Sequence, residues 1–249
     1  MLMSSLGMPN LKNIAAFSVS RLWHFELFRQ VPFRSFNLGP PDPATCDLKV
    51  YQDYLVYLFA AANVPKGARV LEVGGGDSRV LKYFTRDYEC WNLDKCEGLG
   101  NGPQRFTSPH YRMVYDYIGN FNREVPDQYF DFVFSISALE HTPEEQVVRE
   151  NIVKDLHRVT KPGAPSFHLF DCVLRPDSTA WINGLLPYFH QVLPMQTQLL
   201  PAAAVAVDPT IYFMSESAFK ESWAPLLRHA YGEYGRPFSM NAFWLSPPA

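Results

Sequence analysis

The chain has 249 residues and a formal net charge of −3, with 47% hydrophobic, 19% charged and 15% aromatic residues. These values exclude a disordered chain and a long repeat array, and they describe one large domain or one domain with an appendage. No surplus of basic charge is available to gather nucleic acid or an anionic membrane, while 21 prolines point to extended apolar loops around a regular core.

The first residues, MLMSSLGMPNLK, lack the basic start and continuous apolar run of a secretory signal. Residues Leu11 to Phe28 are apolar with Lys12 and Arg21 interspersed. A helix packed on the body or over a cleft is expected there, with a membrane-surface helix or an organelle transit peptide as alternatives. Residues 1–50 as a whole read as a helical extension or lid. No run reaches the ~18 uninterrupted apolar residues of a membrane span. The four cysteines, Cys46, Cys90, Cys96 and Cys172, form no C-x-x-C pair, which suits reduced thiols in a cytoplasmic protein and predicts no metal site.

From Tyr51 the chain alternates helix and strand. Tyr51, Tyr54, Leu55, Leu58 and Phe59 have helical spacing, and Pro65, Lys66 and Gly67 stop that helix. Short strands are predicted at Arg69–Val73, Glu89–Asp94, Tyr111–Tyr115, Phe130–Ile136 and Ser166–Phe170, with a short helix at Ser78–Phe84. A longer helix is expected to start at Thr142, with Pro143 in its first turn and Glu145 completing a capping box; Val148, Ile152, Leu156 and Val159 form its buried stripe. Val173 to Phe213 breaks the rhythm with prolines and aromatics and reads as a substrate-side lid insertion. Ser215–Tyr231 is predicted helical and Phe238–Leu245 a final strand, antiparallel at the end of the sheet. Strands alternating with helices make an α/β fold with a mainly parallel sheet and helices on both faces.

The first strand runs into Gly74, Gly75 and Gly76 before a helix, a turn without side chains that lets a ligand approach the backbone. Asp94 ends the second strand, where a carboxylate reaches the ribose of a bound nucleoside. A dinucleotide fingerprint requires glycine at position 79, and Arg79 stands there, which counts against NAD.

Glu72, Gly74 and Gly76 followed by Ser78 resemble the first motif of the class I S-adenosylmethionine-dependent methyltransferases, acidic-x-G-x-G-x-G, with serine in place of the last glycine. The resemblance runs from about residue 51 to 246. FDFVFSISALEHTPEE resembles the fourth motif, TKPGAPSF the turn before the fifth strand, and FMSESAFKESWAPLLRHA the late helix. It implies a Rossmann-like doubly wound sheet of seven strands, mostly parallel with an antiparallel last strand, over residues 51–249. It also implies S-adenosyl-L-methionine as cofactor: Glu72 toward the methionine amine, Gly74, Gly75 and Gly76 at the turn, Asp94 on the ribose, Asp116 and Tyr117 beside the adenine, and Ile136 touching the cofactor.

Chemistry on the acceptor side is expected from His141, whose ordinary pKa near 6.5 suits a general base, with Asp171 orienting the imidazole. His141 has an equally plain reading as part of a helix start, and His168 reads as a satisfied core residue. The expected activity is methyl transfer to a small molecule, at a hydroxyl. Alternatives are a protein or nitrogen acceptor, a fold-sharing binding protein without chemistry, and a nicotinamide enzyme.

Overall fold

The computed structural model describes residues 14, 15, 17–32, 38–98 and 102–247; the opening residues of the apolar N-terminal stretch, 11–13, lie outside them. In chain order the elements are α1 (His24–Phe28), α2 (Leu48–Asn63), β1 (Arg69–Val73), α3 (Arg79–Phe84), β2 (Glu89–Leu93), β3 (Arg112–Val114), β4 (Phe132–Ile136) and a 3-10 turn (Leu139–His141). They continue with α4 (Gln146–Val159), β5 (Pro165–Leu174), β6 (Ala180–Trp181), α5 (Leu185–Val192), α6 (Ala202–Val207), α7 (Glu216–Ser222), α8 (Ala224–Leu227), α9 (Tyr231–Tyr234) and β7 (Arg236–Leu245).

The seven strands form one sheet. β3, β2, β1, β4 and β5 lie side by side and parallel. β7 runs antiparallel along all of β5, from Pro165 opposite Leu245 to Leu174 opposite Arg236. The last β4–β5 pair is Ile136 with Leu169, so β5 overhangs β4, and the overhang takes β6 at Val173 and Leu174. This is the Rossmann-like, mostly parallel fold expected, with its last strand antiparallel. Strand order reverses between β1 and β4, and the crevice beyond their carboxyl ends is where such sheets bind ligands.

Alternation along the strands assigns the two faces. Phe132 and Phe134 of β4 join Tyr51, Tyr54 and Leu58 of α2 and Phe219 of α7 in one core. Val133 joins Leu156 of α4, Phe189 of α5 and Trp244 of β7 in the other. Each fully buried phenylalanine contributes about 1.5–3 kcal/mol relative to exposure; the first layer is rich in aromatic rings, whereas the second is mainly aliphatic.

Several boundaries differ from expectation. The long helix starts at Gln146, with Glu145 at its cap position and no side-chain cap. Thr142 instead donates from Oγ1 to Leu139 O at 2.8 Å, closing the 3-10 turn, so the capping box does not form. The predicted Ser215–Tyr231 helix is two short ones, α7 and α8, with α9 starting at Tyr231; it is broken where Pro225 enters the first turn of α8 and Arg228 adopts a left-handed φ of 57°. Strand β5 runs on through Leu174 because β7 supplies ladder partners to its end. In the 173–213 segment, α5 buries Leu185, Leu186 and Phe189, and α6 buries Val205, in the second core. That segment therefore builds a layer on the sheet.

The described N-terminal residues also join the body. Ser20 N donates to Ser239 O and Asn241 N to Ser18 O, adding a short edge beside β7. α1 packs Phe25 and Phe28 on Tyr51, Tyr54 and Tyr212.

Candidate functional site

The glycine turn after β1 is closed from below by side chains. Gly75 N donates to Asn92 Oδ1 (3.1 Å) and Asn92 Nδ2 to Gly76 O (2.9 Å). Gly76 N donates to Asp94 Oδ2 (2.8 Å) and Ser78 N to Tyr111 OH (3.0 Å). Gly74 has a φ of +73°, and a Cβ there would lie 2.5 Å from that of Ala138. A Cβ on Gly75 would strike the Glu72 carboxylate. Glycine is thus required at 74 by both conformation and space. Because the amides of Gly74, Gly75, Gly76 and Ser78 all donate within the chain, none of them is left to cradle a pyrophosphate. That geometry fits a phosphate-free nucleoside and not a dinucleotide.

Glu72 lies beneath this turn, 3% exposed, and among the described residues its Oε2 has no hydrogen-bond partner. Burial pushes its carboxyl up to about 8, with Asp53 and Asp94 adding to the rise. A buried carboxyl with an unused oxygen awaits a donor, and an ammonium group supplies one with charge. Asp94 directly follows β2, half-buried, accepting from Gly76 N and from Cys96 N (2.6 Å). Each of its oxygens keeps acceptor capacity for a ribose hydroxyl. The residues at the turn therefore fit S-adenosylmethionine.

Asp116 and Tyr117 follow β3. Burial raises the Asp116 carboxyl, but donors from Asn120 Nδ2, Tyr117 N and Asn122 Nδ2 outweigh it and hold it below the ordinary range. Its lone pairs are thus largely committed to its own turn. Tyr117 is exposed and donates from its hydroxyl to Glu97 Oε2 (2.7 Å).

Across the crevice, Ile136 ends β4, 1% exposed. Ser137 follows with a left-handed φ of 45°. Its Oγ lies 2.6 Å from Gln52 Oε1 and 2.9 Å from Asp171 Oδ1. Gln52 Nε2 donates to Asp171 Oδ1 (3.0 Å) and Ser239 Oγ (3.0 Å). Asp171 is therefore oriented by Gln52 and Ser137, and among the described residues its carboxylate does not bond His141. This corrects the expected histidine–aspartate pairing: the overhang of β5 carries Asp171 into reach of α2, while the 3-10 turn leaves His141 exposed. Burial and the charge of Lys49 nonetheless lower the His141 imidazole below its ordinary value.

Glu140 is 3% exposed; Asp171 N donates to its Oε1 at 3.4 Å, and among the described residues its Oε2 has no partner. Burial, then the charge of Asp171, raise its carboxyl far above the ordinary range, whereas burial raises Asp171 to about 6. Asn183 Nδ2 braces the turn at Glu140 O (3.0 Å) and Thr142 O (3.2 Å). His168, within β5, is fully buried with Nδ1 2.9 Å from Ser135 Oγ.

Gln52, Asn92 and Ser137 were not singled out by motif or spacing, and Glu140 only as the first half of the Glu-His pair in the fourth motif. Gln52 carried a signal all the same, a polar residue between Tyr51 and Leu55 on the apolar stretch of α2. An open groove of about 450 Å³ lined by Tyr88, Glu89, Trp91, His110 and Arg112 lies at the amino ends of β2 and β3, away from these residues. Among the described residues no group of three or more His, Cys, Asp or Glu side chains is placed to hold a metal ion.

A family model described as a methyltransferase domain matches residues 71–167. Sterol 24-C-methyltransferase of Yarrowia lipolytica is 28% identical over 161 residues, covering 60% of this chain and 34% of that enzyme. The chain thus spans about a third of that relative's length. A TehB-like SAM-dependent methyltransferase from Corynebacterium glutamicum superposes with a TM-score of 0.46 at 16% identity, over 88% of this chain and 97% of that one. A phosphoethanolamine N-methyltransferase of Haemonchus contortus, solved with S-adenosylhomocysteine, gives 0.45 at 12%, over 80% and 52%.

Proposed function

We propose that this chain, whose residues 71–167 match the model of a methyltransferase domain, is a class I S-adenosylmethionine-dependent methyltransferase that transfers the cofactor's methyl group to a hydroxyl of a small-molecule acceptor. The observation that carries the reading is Glu72, a buried carboxyl with an unused oxygen under a glycine turn whose own amides are already bonded.

Each residue has a defined task in this reading. Glu72 takes the cofactor's amine, Asp94 its ribose hydroxyls, and Gly74, Gly75 and Gly76 leave room for the chain of the methionine. Asp116 fixes its turn, so that Tyr117 stands beside the adenine, and Ile136 forms the apolar floor. S-adenosylmethionine supplies a methyl group already activated on a sulfonium, so the protein's work is alignment and exclusion of water. The acceptor lies over the ends of β4 and β5, between His141 and Asp171, where a proton-holding group stands within reach of a hydroxyl. A small acceptor agrees with the net charge of −3, which offers nothing to grip phosphates. The four free, buried cysteines support a cytoplasmic setting, and no described helix is long and apolar enough to cross a membrane.

Incubation with methyl-labelled cofactor and a panel of phenols, sugars and matched amines tests the acceptor class. Label on oxygen is expected; label on amines or proteins alone overturns the hydroxyl assignment.

A further inference from the structure

We propose that Asp171, and not His141, takes the proton of the acceptor hydroxyl, with Gln52 and Ser137 as its positioning residues. The proposal rests on the methyl-transfer reading above.

The geometry separates the two candidates. Asp171 is held at Oδ1 alone: Gln52 Nε2 donates at 3.0 Å and Ser137 Oγ lies at 2.9 Å, while among the described residues no hydrogen bond reaches Oδ2. Gln52 is itself fixed by Ser239 Oγ (3.0 Å), which donates to Asn241 Oδ1 (2.7 Å), and Asn241 Nδ2 donates to Phe17 O (2.7 Å). The relay thus ends on the backbone, and it sets the direction of one carboxylate oxygen. Ser137 reaches it by adopting a φ of 45°, a conformation that costs a non-glycine residue about 1–3 kcal/mol and that persists where surrounding structure imposes it. No comparable support exists for His141, whose ring makes no hydrogen bond among the described residues and lies exposed. An imidazole without a second-nitrogen partner has no fixed tautomer or heading.

The charges around Asp171 come from several elements. Asp47 and Lys49 face it from the start of α2, Glu140 from the 3-10 turn, Tyr234 from α9, and Cys172 from its own strand. Burial raises Asp171 to about 6 against the donors of Ser137 and Gln52. Burial, then the Asp171 charge, raise the Glu140 carboxyl far above its ordinary range. The two carboxyls interact across the 3-10 turn and titrate as a unit.

The step balances without a further reactant. The acceptor oxygen forms its bond to the methyl carbon as the carbon–sulfur bond breaks and its electron pair returns to sulfur. The hydroxyl proton passes to Asp171 Oδ2 and leaves to water before the next turnover.

Calorimetry with two probes tests this without an acceptor: S-adenosylhomocysteine, and sinefungin, which carries a protonated amine in place of the methylated sulfonium. The wild-type chain should prefer sinefungin by about tenfold near pH 8, the worth of one charge-assisted hydrogen bond, and lose the preference as pH falls through about 6. Asp171→Asn should abolish the preference. His141→Gln should keep it and its pH dependence, and Glu140→Gln should keep the preference. Ser137→Ala, which removes a donor to the carboxylate, should move the midpoint to higher pH and serves if Asp171→Asn does not fold. A preference unchanged in Asp171→Asn, lost in His141→Gln, or a midpoint unmoved in Ser137→Ala overturns the proposal. Failure of both probes to bind the wild-type chain overturns the cofactor reading on which it stands.

Discussion

Arg79 donates from Nε to Asp53 Oδ2 across 2.7 Å, so the residue standing where a dinucleotide fingerprint carries glycine ties α3 to α2. Asp53 is buried and its carboxyl is raised by burial against the opposing charge of Arg79. The helix that opens from the glycine turn is thereby held to the helix that supplies Gln52.

Arg79→Ala should cost about 2 kcal/mol, since it leaves a buried carboxylate without its charged donor. Urea unfolding at pH 7 measures it. The deficit should shrink as pH is lowered, because Asp53 becomes neutral and no longer needs the guanidinium. A deficit that is independent of pH would place the effect in packing and not in the pair.

Gly74→Ala forces an alanine into a φ of +73° and brings its Cβ to 2.5 Å from Ala138 Cβ. Left-handed strain and the overlap together should destabilise the chain by roughly 2–4 kcal/mol. The opening of the 3-10 turn at Ala138 should shift as well, so affinity for S-adenosylhomocysteine should fall even at temperatures where the variant is folded. Wild-type affinity in a folded Gly74→Ala would show that the turn does not shape the cleft.

Glu72, raised to about 8 by burial, is protonated at pH 7 in the free chain. Binding an ammonium beside it favours the carboxylate, so S-adenosylhomocysteine should release a proton from Glu72 near pH 7. Calorimetry in buffers of different ionisation enthalpy reads that release, and Glu72→Gln should remove it. The same shift acts on folding: the native state holds a proton that the unfolded chain loses above about pH 4.5. This group's contribution to stability therefore falls as pH rises from about 4.5 to 8, and Glu72→Gln should flatten the slope over that window.

Tyr51 is fully buried, and its hydroxyl accepts from Arg21 N at 2.9 Å. Tyr51→Phe leaves that amide unpaired and should cost about 1–3 kcal/mol. If the N-terminal segment is part of the body, as its contacts with β7 indicate, thermal unfolding should remain a single transition in the variant. A separate early transition would mark that segment as an independent unit.

Local signals made much of this molecule legible in its sequence. The five parallel strands are apolar runs bounded by turn residues, and the glycine turn with Asp94 reads as a nucleoside cleft through backbone conformation and spacing. What escaped depended on tertiary reach. Nothing near Asp171 in sequence says that β5 overhangs β4, because β7 imposes that extension from some 70 residues away. Gln52 belongs to the site only once α2 is laid across the sheet. Thr142 and Glu145 present a capping pattern, yet the 3-10 turn at Leu139–His141 takes Thr142 for its own closure. The aromatics and prolines of 173–213 read as a lid because composition does not distinguish a cover over a cleft from a helix layer packed on a sheet.

The cofactor site is the centre of this account, and calorimetric titration of the chain with S-adenosylhomocysteine, in parallel with NAD, tests it most directly. Saturable one-to-one heat with S-adenosylhomocysteine, weakened by Asp94→Ala, and no heat with NAD are expected. Heat with NAD and none with S-adenosylhomocysteine would contradict it.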